Sequence, residues 1–116
     1  MPQAKVIMNV RKMSTTTSII DIQGEVTAFA ENVLMAAYAE ASAPGVRRII
    51  LNFSGLEYMN SSGIGLIVTL LIRVNRQKQR LLSYGLSEHY RHIFELTRLS
   101  DAIATYASEA EALTEA

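Results

Sequence analysis

The chain is predicted to fold as an α/β domain, a mixed four- to five-stranded sheet with about four helices packed against it. Three observations point there. Two segments suited to strands open the chain, helical and strand patterns alternate after them, and one run has the continuous apolar centre of a strand buried on both faces. At 116 residues, a single domain over residues 1–116 is the expectation.

The first two strands are read at Lys5 to Met13 and Thr16 to Ile22. The second, rich in β-branched residues, suits a pleated surface. Ser14-Thr15 joins the pair as a hairpin, and Gly24 is read as the end of the second strand. Ala28 to Ala41 is dense in alanine, with Phe29, Val33, Leu34, Ala37 and Tyr38 at helical spacing. Ala43-Pro44-Gly45 closes that helix, since proline cannot continue it and glycine serves as a stop.

Arg47 to Phe53 is the doubly buried strand, with Ser54-Gly55 read as a turn after it. A second helix follows from about Ser62 to Gln77, apolar on nearly every side in its first part. Arg73, Arg76, Lys78 and Arg80 gather near its C-terminal end, where cations suit the helix dipole and usually stand in solvent. Leu81 to Tyr84 reads as a strand ended by Gly85, and Ser87 as the N-cap of a third helix reaching Leu96. Ala102 to Tyr106 reads as a last short strand. Ser108-Glu109-Ala110-Glu111 is a capping-box pattern that opens a terminal helix.

Composition excludes several functions. Eleven basic side chains balance eleven acidic ones, so no long-range field draws in nucleic acid or an anionic membrane. Cysteine is absent, which removes disulfides, thiolate metal sites and a cysteine nucleophile; a cytoplasmic location fits. Met1 to Val10 lacks the plan of a signal peptide. The most apolar run, Ile64 to Ile72, is far short of the roughly 20 residues that span a bilayer. A soluble chain without membrane insertion is therefore expected.

No nucleophile elbow, Ser-His-Asp order or complete phosphate loop is present. Neither catalysis nor a cofactor is expected. His89 and His92 stand three apart near Glu88 and Glu95. With no further ligand spacing they read as solvent-facing histidines, and no metal is expected.

The least generic stretch runs from Leu51 to Gly65. A buried strand leads into a helix beginning Asn60-Ser61-Ser62-Gly63. Asn60 or Ser61 can cap it by accepting from its free amides, and on local physics a serine there is a cap. The same amides and the helix dipole can hold a phosphate. Gly63 and Gly65 each cost about 1 kcal/mol of helix propensity against alanine. Close approach of another backbone, the sheet behind or a partner in front, would compensate.

Asn60-Ser61-Ser62-Gly63-Ile64-Gly65-Leu66, after the phrase Leu56-Glu57-Tyr58-Met59, resembles the signature of the STAS family. That family comprises bacterial anti-sigma factor antagonists and the cytoplasmic tails of sulfate transporters. Ile22-Gln23-Gly24-Glu25-Val26 is similar to the family's second-strand ending, and Ser87 to Leu99 to its third helix and the turn after it. The resemblance implies a STAS-like fold and a partner, an anti-sigma factor that is a serine kinase of the histidine-kinase-like ATPase fold. It implies binding through Glu25, Val26 and Thr27 together with Met59, Asn60, Ser61, Ser62, Gly63, Ile64 and Gly65. Ser61 is the implied phosphoacceptor, with Ser62 the second choice, and phosphorylation switches binding off. The family commonly has aspartate where Asn60 and Thr27 stand. That departure suits an alternative without phosphorylation: a STAS scaffold, or the small cytoplasmic subunit of a lipid-transport ATPase complex. The N-terminal edge strand leaves pairing into a homodimer open.

Overall fold

The computed structural model describes residues 5–114; the first four and last two residues of the expected domain lie outside the described ones. Strand β1 (Val6–Lys12) turns back into β2 (Thr17–Val26) as the expected hairpin. A 3-10 turn at Ala28–Ala30 leads into α1 (Glu31–Ala41), then come β3 (Arg48–Met59) and α2 (Ser61–Arg76). Strand β4 (Arg80–Tyr84), α3 (Glu88–Leu96), β5 (Ala104–Tyr106) and α4 (Glu109–Thr114) complete the order.

The sheet runs β1-β2-β3-β4-β5 with only β1 antiparallel. This is the mixed α/β architecture expected. Helices α1, α2 and α3 cover one face, where Ile20, Ile22, Leu34, Ile49, Leu51, Phe53, Ile67, Leu70 and Phe94 make the main core. Helix α4 covers part of the other face through Ala112, against Ile19, Ile50 and Leu82. Alternation along each strand decides which residue faces which layer.

A polar network pins α4 across the sheet. Arg11 donates to both carboxylate oxygens of Asp21 (2.7 and 2.9 Å) and to Glu109 Oε1 (2.7 Å). The Tyr84 hydroxyl donates to Glu109 Oε1 at 2.8 Å, and Asn52 Nδ2 to Asp21 at 2.7 Å. A second network joins the ends of α1 and α2: the Tyr38 hydroxyl donates to Gln79 Oε1 at 2.8 Å, and Gln79 Nε2 to Ser42 Oγ at 2.8 Å.

Two expectations are corrected. Gly24 does not end β2; it sits within the strand at φ +100°, paired with Val6 on one side and Leu56 on the other. A Cβ there would run into the carbonyl of Lys5. Ser54-Gly55 is not a turn either, because β3 continues to Met59 by pairing with the extended end of β2. Gly55 lies opposite Gln23, and a Cβ on it would stand 2.8 Å from Gln23 Cγ and 3.0 Å from the Ile22 carbonyl. Both glycines allow close backbone approach where the register shifts, a strand role that looks like a turn signal in sequence. The consequence is positional, since the long β3 delivers residue 60 directly to the start of α2.

Candidate functional site

The site is built where β2 and β3 end side by side. Glu25 pairs with Tyr58 and Val26 with Met59, so the two strand ends present adjoining surfaces. The Asn60 amide donates to the Val26 carbonyl at 3.4 Å, and the Met59 amide to the Tyr90 hydroxyl of α3 at 2.9 Å. Thr27 leaves β2 as the cap of the 3-10 turn, its Oγ1 accepting from the Phe29 amide at 3.3 Å.

Asn60, not a serine, caps α2. Its Oδ1 accepts the Gly63 amide at 2.9 Å, and its carbonyl accepts from Ile64, also at 2.9 Å. Ser61 and Ser62 therefore occupy the first two helical positions. Both are exposed, and neither hydroxyl has a hydrogen-bond partner among the described residues. Their own amides remain as donors at the positive end of a 16-residue helix. No acidic residue stands in that first turn.

The two helix glycines divide the roles that the sequence left open. Gly63 is buried, and a Cβ on it would strike the Val26 carbonyl and lie 2.8 Å from Met59 Cγ. Gly63 thus serves the sheet behind. Gly65 is exposed, with open space where its Cβ would be. It faces outward.

Of the residues that the family resemblance implies for partner binding, Val26, Met59 and Gly63 are buried and shape the surface from beneath. Glu25, Thr27, Asn60 and Ile64 are half-buried, while Ser61, Ser62 and Gly65 stand exposed. Sequence reasoning missed the apolar residues beside them. Val68 is 38% and Ile72 47% exposed; at seven and eleven positions after Ser61 they share its helix stripe with Gly65. Phe29, 56% exposed, lies in the 3-10 turn that packs beside α2, and Tyr58, 48% exposed, is the β3 partner of Glu25. The available signal was α2 itself, apolar almost all round although one side faces solvent.

The basic cluster and the histidine pair lie elsewhere. Arg73 and Arg76 are in the last turn of α2, roughly 20 Å from Ser61 at 1.5 Å per residue. His89 packs edge-on to Tyr90 with centroids 4.9 Å apart, and His92 meets Glu95 at 3.9 Å. Among the described residues, no three metal-ligating groups converge, and no helix is long and apolar enough to cross a membrane.

The chain is similar to the anti-sigma-B factor antagonist of Staphylococcus aureus, 29% identical over 82 residues that cover 71% of this chain and 76% of that protein. Its fold is similar to that of the anti-sigma factor antagonist SpoIIAA. In the unphosphorylated form of SpoIIAA the TM-score is 0.72 at 25% identity, covering 92% of this chain and 94% of that one. In the phosphorylated form, described as a Bacillus cell fate determinant, it is 0.71 at 26% identity, covering 92% and 96%. The STAS domain model matches residues 3–112. With that match spanning almost all of its length, the chain belongs to the STAS domain family.

Proposed function

We propose that this domain is an anti-sigma factor antagonist, a binding protein without catalysis of its own that acts in the cytoplasm. Its partner is an anti-sigma factor that is also a serine kinase of the histidine-kinase-like ATPase fold. Docking uses the surface from Glu25 to Thr27 and from Met59 to Gly65, extended along α2 by Val68 and Ile72. The unmodified domain binds, and a phosphoryl group on Ser61 releases it.

One observation carries this reading above the rest: the Ser61 hydroxyl is exposed and unpartnered because Asn60 does the capping. A kinase can reach such a hydroxyl without first breaking a bond that holds the helix. A phosphate there adds about −1.5 to −2 charges, beside helix amides that favour an anion and at the end of a docking stripe whose exposed Val68 and Ile72 do not. The phosphorylated domain therefore stays folded while docking weakens. The relatives named as anti-sigma factor antagonists support the same assignment.

The test is incubation with the cognate kinase and ATP, followed by intact mass. One phosphoryl group is expected on the unmodified chain and on Ser62→Ala, and none on Ser61→Ala. Modification of Ser61→Ala at the full rate would overturn the choice of serine. The neutral Asn60 cap favours a second reading, a STAS scaffold or lipid-transport ATPase subunit that needs no phosphate. In that case no variant is phosphorylated, and affinity capture retrieves transporter subunits rather than a kinase.

A further inference from the structure

Strand β1 is an edge strand, and its free side is complementary to itself. The Glu25 amide donates to the Lys5 carbonyl at 2.9 Å, and the Met13 amide to the Thr17 carbonyl at 3.0 Å. With the unbroken register between these points, odd-numbered residues of β1 turn their backbone groups toward β2. The amides and carbonyls of Val6, Met8, Val10 and Lys12 therefore point outward, and they meet no backbone partner among the described residues. Ile7 is 59% exposed on the face away from α1, and Asn9 beside it is exposed as well.

We propose that two copies of this chain pair antiparallel through β1, with Asn9 on the two-fold axis, so that two five-stranded sheets join into one. In this register all seven residues of the strand are paired. Val6 lies opposite the partner's Lys12, Ile7 opposite the partner's Arg11, Met8 opposite the partner's Val10, and Asn9 opposite the partner's Asn9. No two like charges face each other, which a cross-strand pair would otherwise penalise. The outward amides and carbonyls of the even-numbered residues supply the new ladder. The alternatives are worse: moving the axis to Met8 sets Lys5 against the partner's Arg11, and moving it to Val10 leaves only five strand residues paired.

The pairing also gives exposed Ile7 the aliphatic stem of Arg11 to cover, while the Arg11 head stays on Asp21 and Glu109. A seven-residue ladder is small beside standard interfaces, so the dimer is weak and reversible. Ser61, two strands away from this edge, stays open, and the proposal stands or falls independently of its phosphorylation.

The chain has no cysteine, so a single introduced thiol reports the register. Asn9 pairs with its mate at a non-hydrogen-bonded site, where Cα atoms approach to about 4.5 Å, within disulfide range. Residue 7 and its mate are offset by four residues, about 13 Å. Under mild oxidation, Asn9→Cys is expected to give a disulfide dimer at least tenfold faster than Ile7→Cys. In sedimentation velocity, the unmodified chain is expected to gain mass with concentration. Asn9→Lys, which opposes two ammonium groups at the axis without touching the core, is expected to remain monomeric with an unchanged circular dichroism spectrum. A monomer at every concentration, equal cross-linking at positions 7 and 9, or undiminished association of Asn9→Lys would each overturn the proposal.

Discussion

Asn60 Oδ1 accepts the Gly63 amide at 2.9 Å, and that one bond releases both neighbouring serines from structural duty. Removing it should therefore cost stability where removing the serines does not. Asn60→Ala is expected to lose about 1 kcal/mol, the usual worth of an N-cap. Asn60→Asp should match the unmodified chain or exceed it by a few tenths of a kcal/mol, since a carboxylate caps equally well and suits the helix dipole. Ser61→Ala and Ser62→Ala should stay within about 0.5 kcal/mol. Urea unfolding of the four variants checks the order.

The glycines of α2 should respond in opposite directions. Gly63→Ala drives a methyl into the Val26 carbonyl and Met59, and a loss of about 2 kcal/mol or more is expected from such overpacking. Gly65→Ala meets open space and should gain up to about 1 kcal/mol from helix propensity. Thermal unfolding of the two single variants separates them clearly.

Much of this arrangement was legible in the sequence. The Thr16 to Ile22 segment, the alanine-rich helix, the Ser87 cap and the start of the terminal helix at Ser108 all use local chemistry that the structure keeps: Ser87 Oγ accepts from Tyr90 at 3.3 Å and Ser108 Oγ from Glu111 at 3.2 Å. What escaped were features that depend on distant chain. Gly24 and Gly55 signal freedom of the backbone, but only the pairing of β2 with β3 decides that the freedom is used inside a strand. Asn60 and Ser61 are both competent caps, and the exit direction of β3 selects Asn60. Val68 and Ile72 look like core residues until the side that α2 buries is known.

Acidification should weaken the grip of α4 on the sheet. Burial pushes the Asp21 carboxyl up, but hydrogen bonds from Arg11 and Asn52 outweigh it and hold the group below its ordinary value. Glu109 is held low by its bond from Arg11, then by that from Tyr84. Carboxylates lowered in this way stabilise the fold fully above the unfolded value near pH 4, and the contribution is lost as pH falls through the lower folded values. Arg11→Met should shift the acid midpoint upward. On the alkaline side, burial and then the Glu109 bond push the Tyr84 phenol up to about 12. The stability it contributes should persist to about pH 10 and fade toward 12. Circular dichroism against pH, for both chains, measures the two limbs.

The exposed apolar stripe should matter for binding and not for folding. Ile72→Glu changes a side chain already 47% exposed, so stability should move by less than about 0.5 kcal/mol. Affinity for the anti-sigma factor should fall about tenfold or more, a hot-spot loss near 1.4 kcal/mol. Calorimetric titration beside a melting curve distinguishes the two effects.

A switch at Ser61 within a docking surface separates three chains by their affinity for the anti-sigma factor: unmodified, Ser61→Asp and Gln77→Glu. The last adds the same charge at the far end of α2. Ser61→Asp is expected to bind at least tenfold more weakly than the unmodified chain, with Gln77→Glu within a factor of two of it. Equal binding by all three chains would contradict the switch.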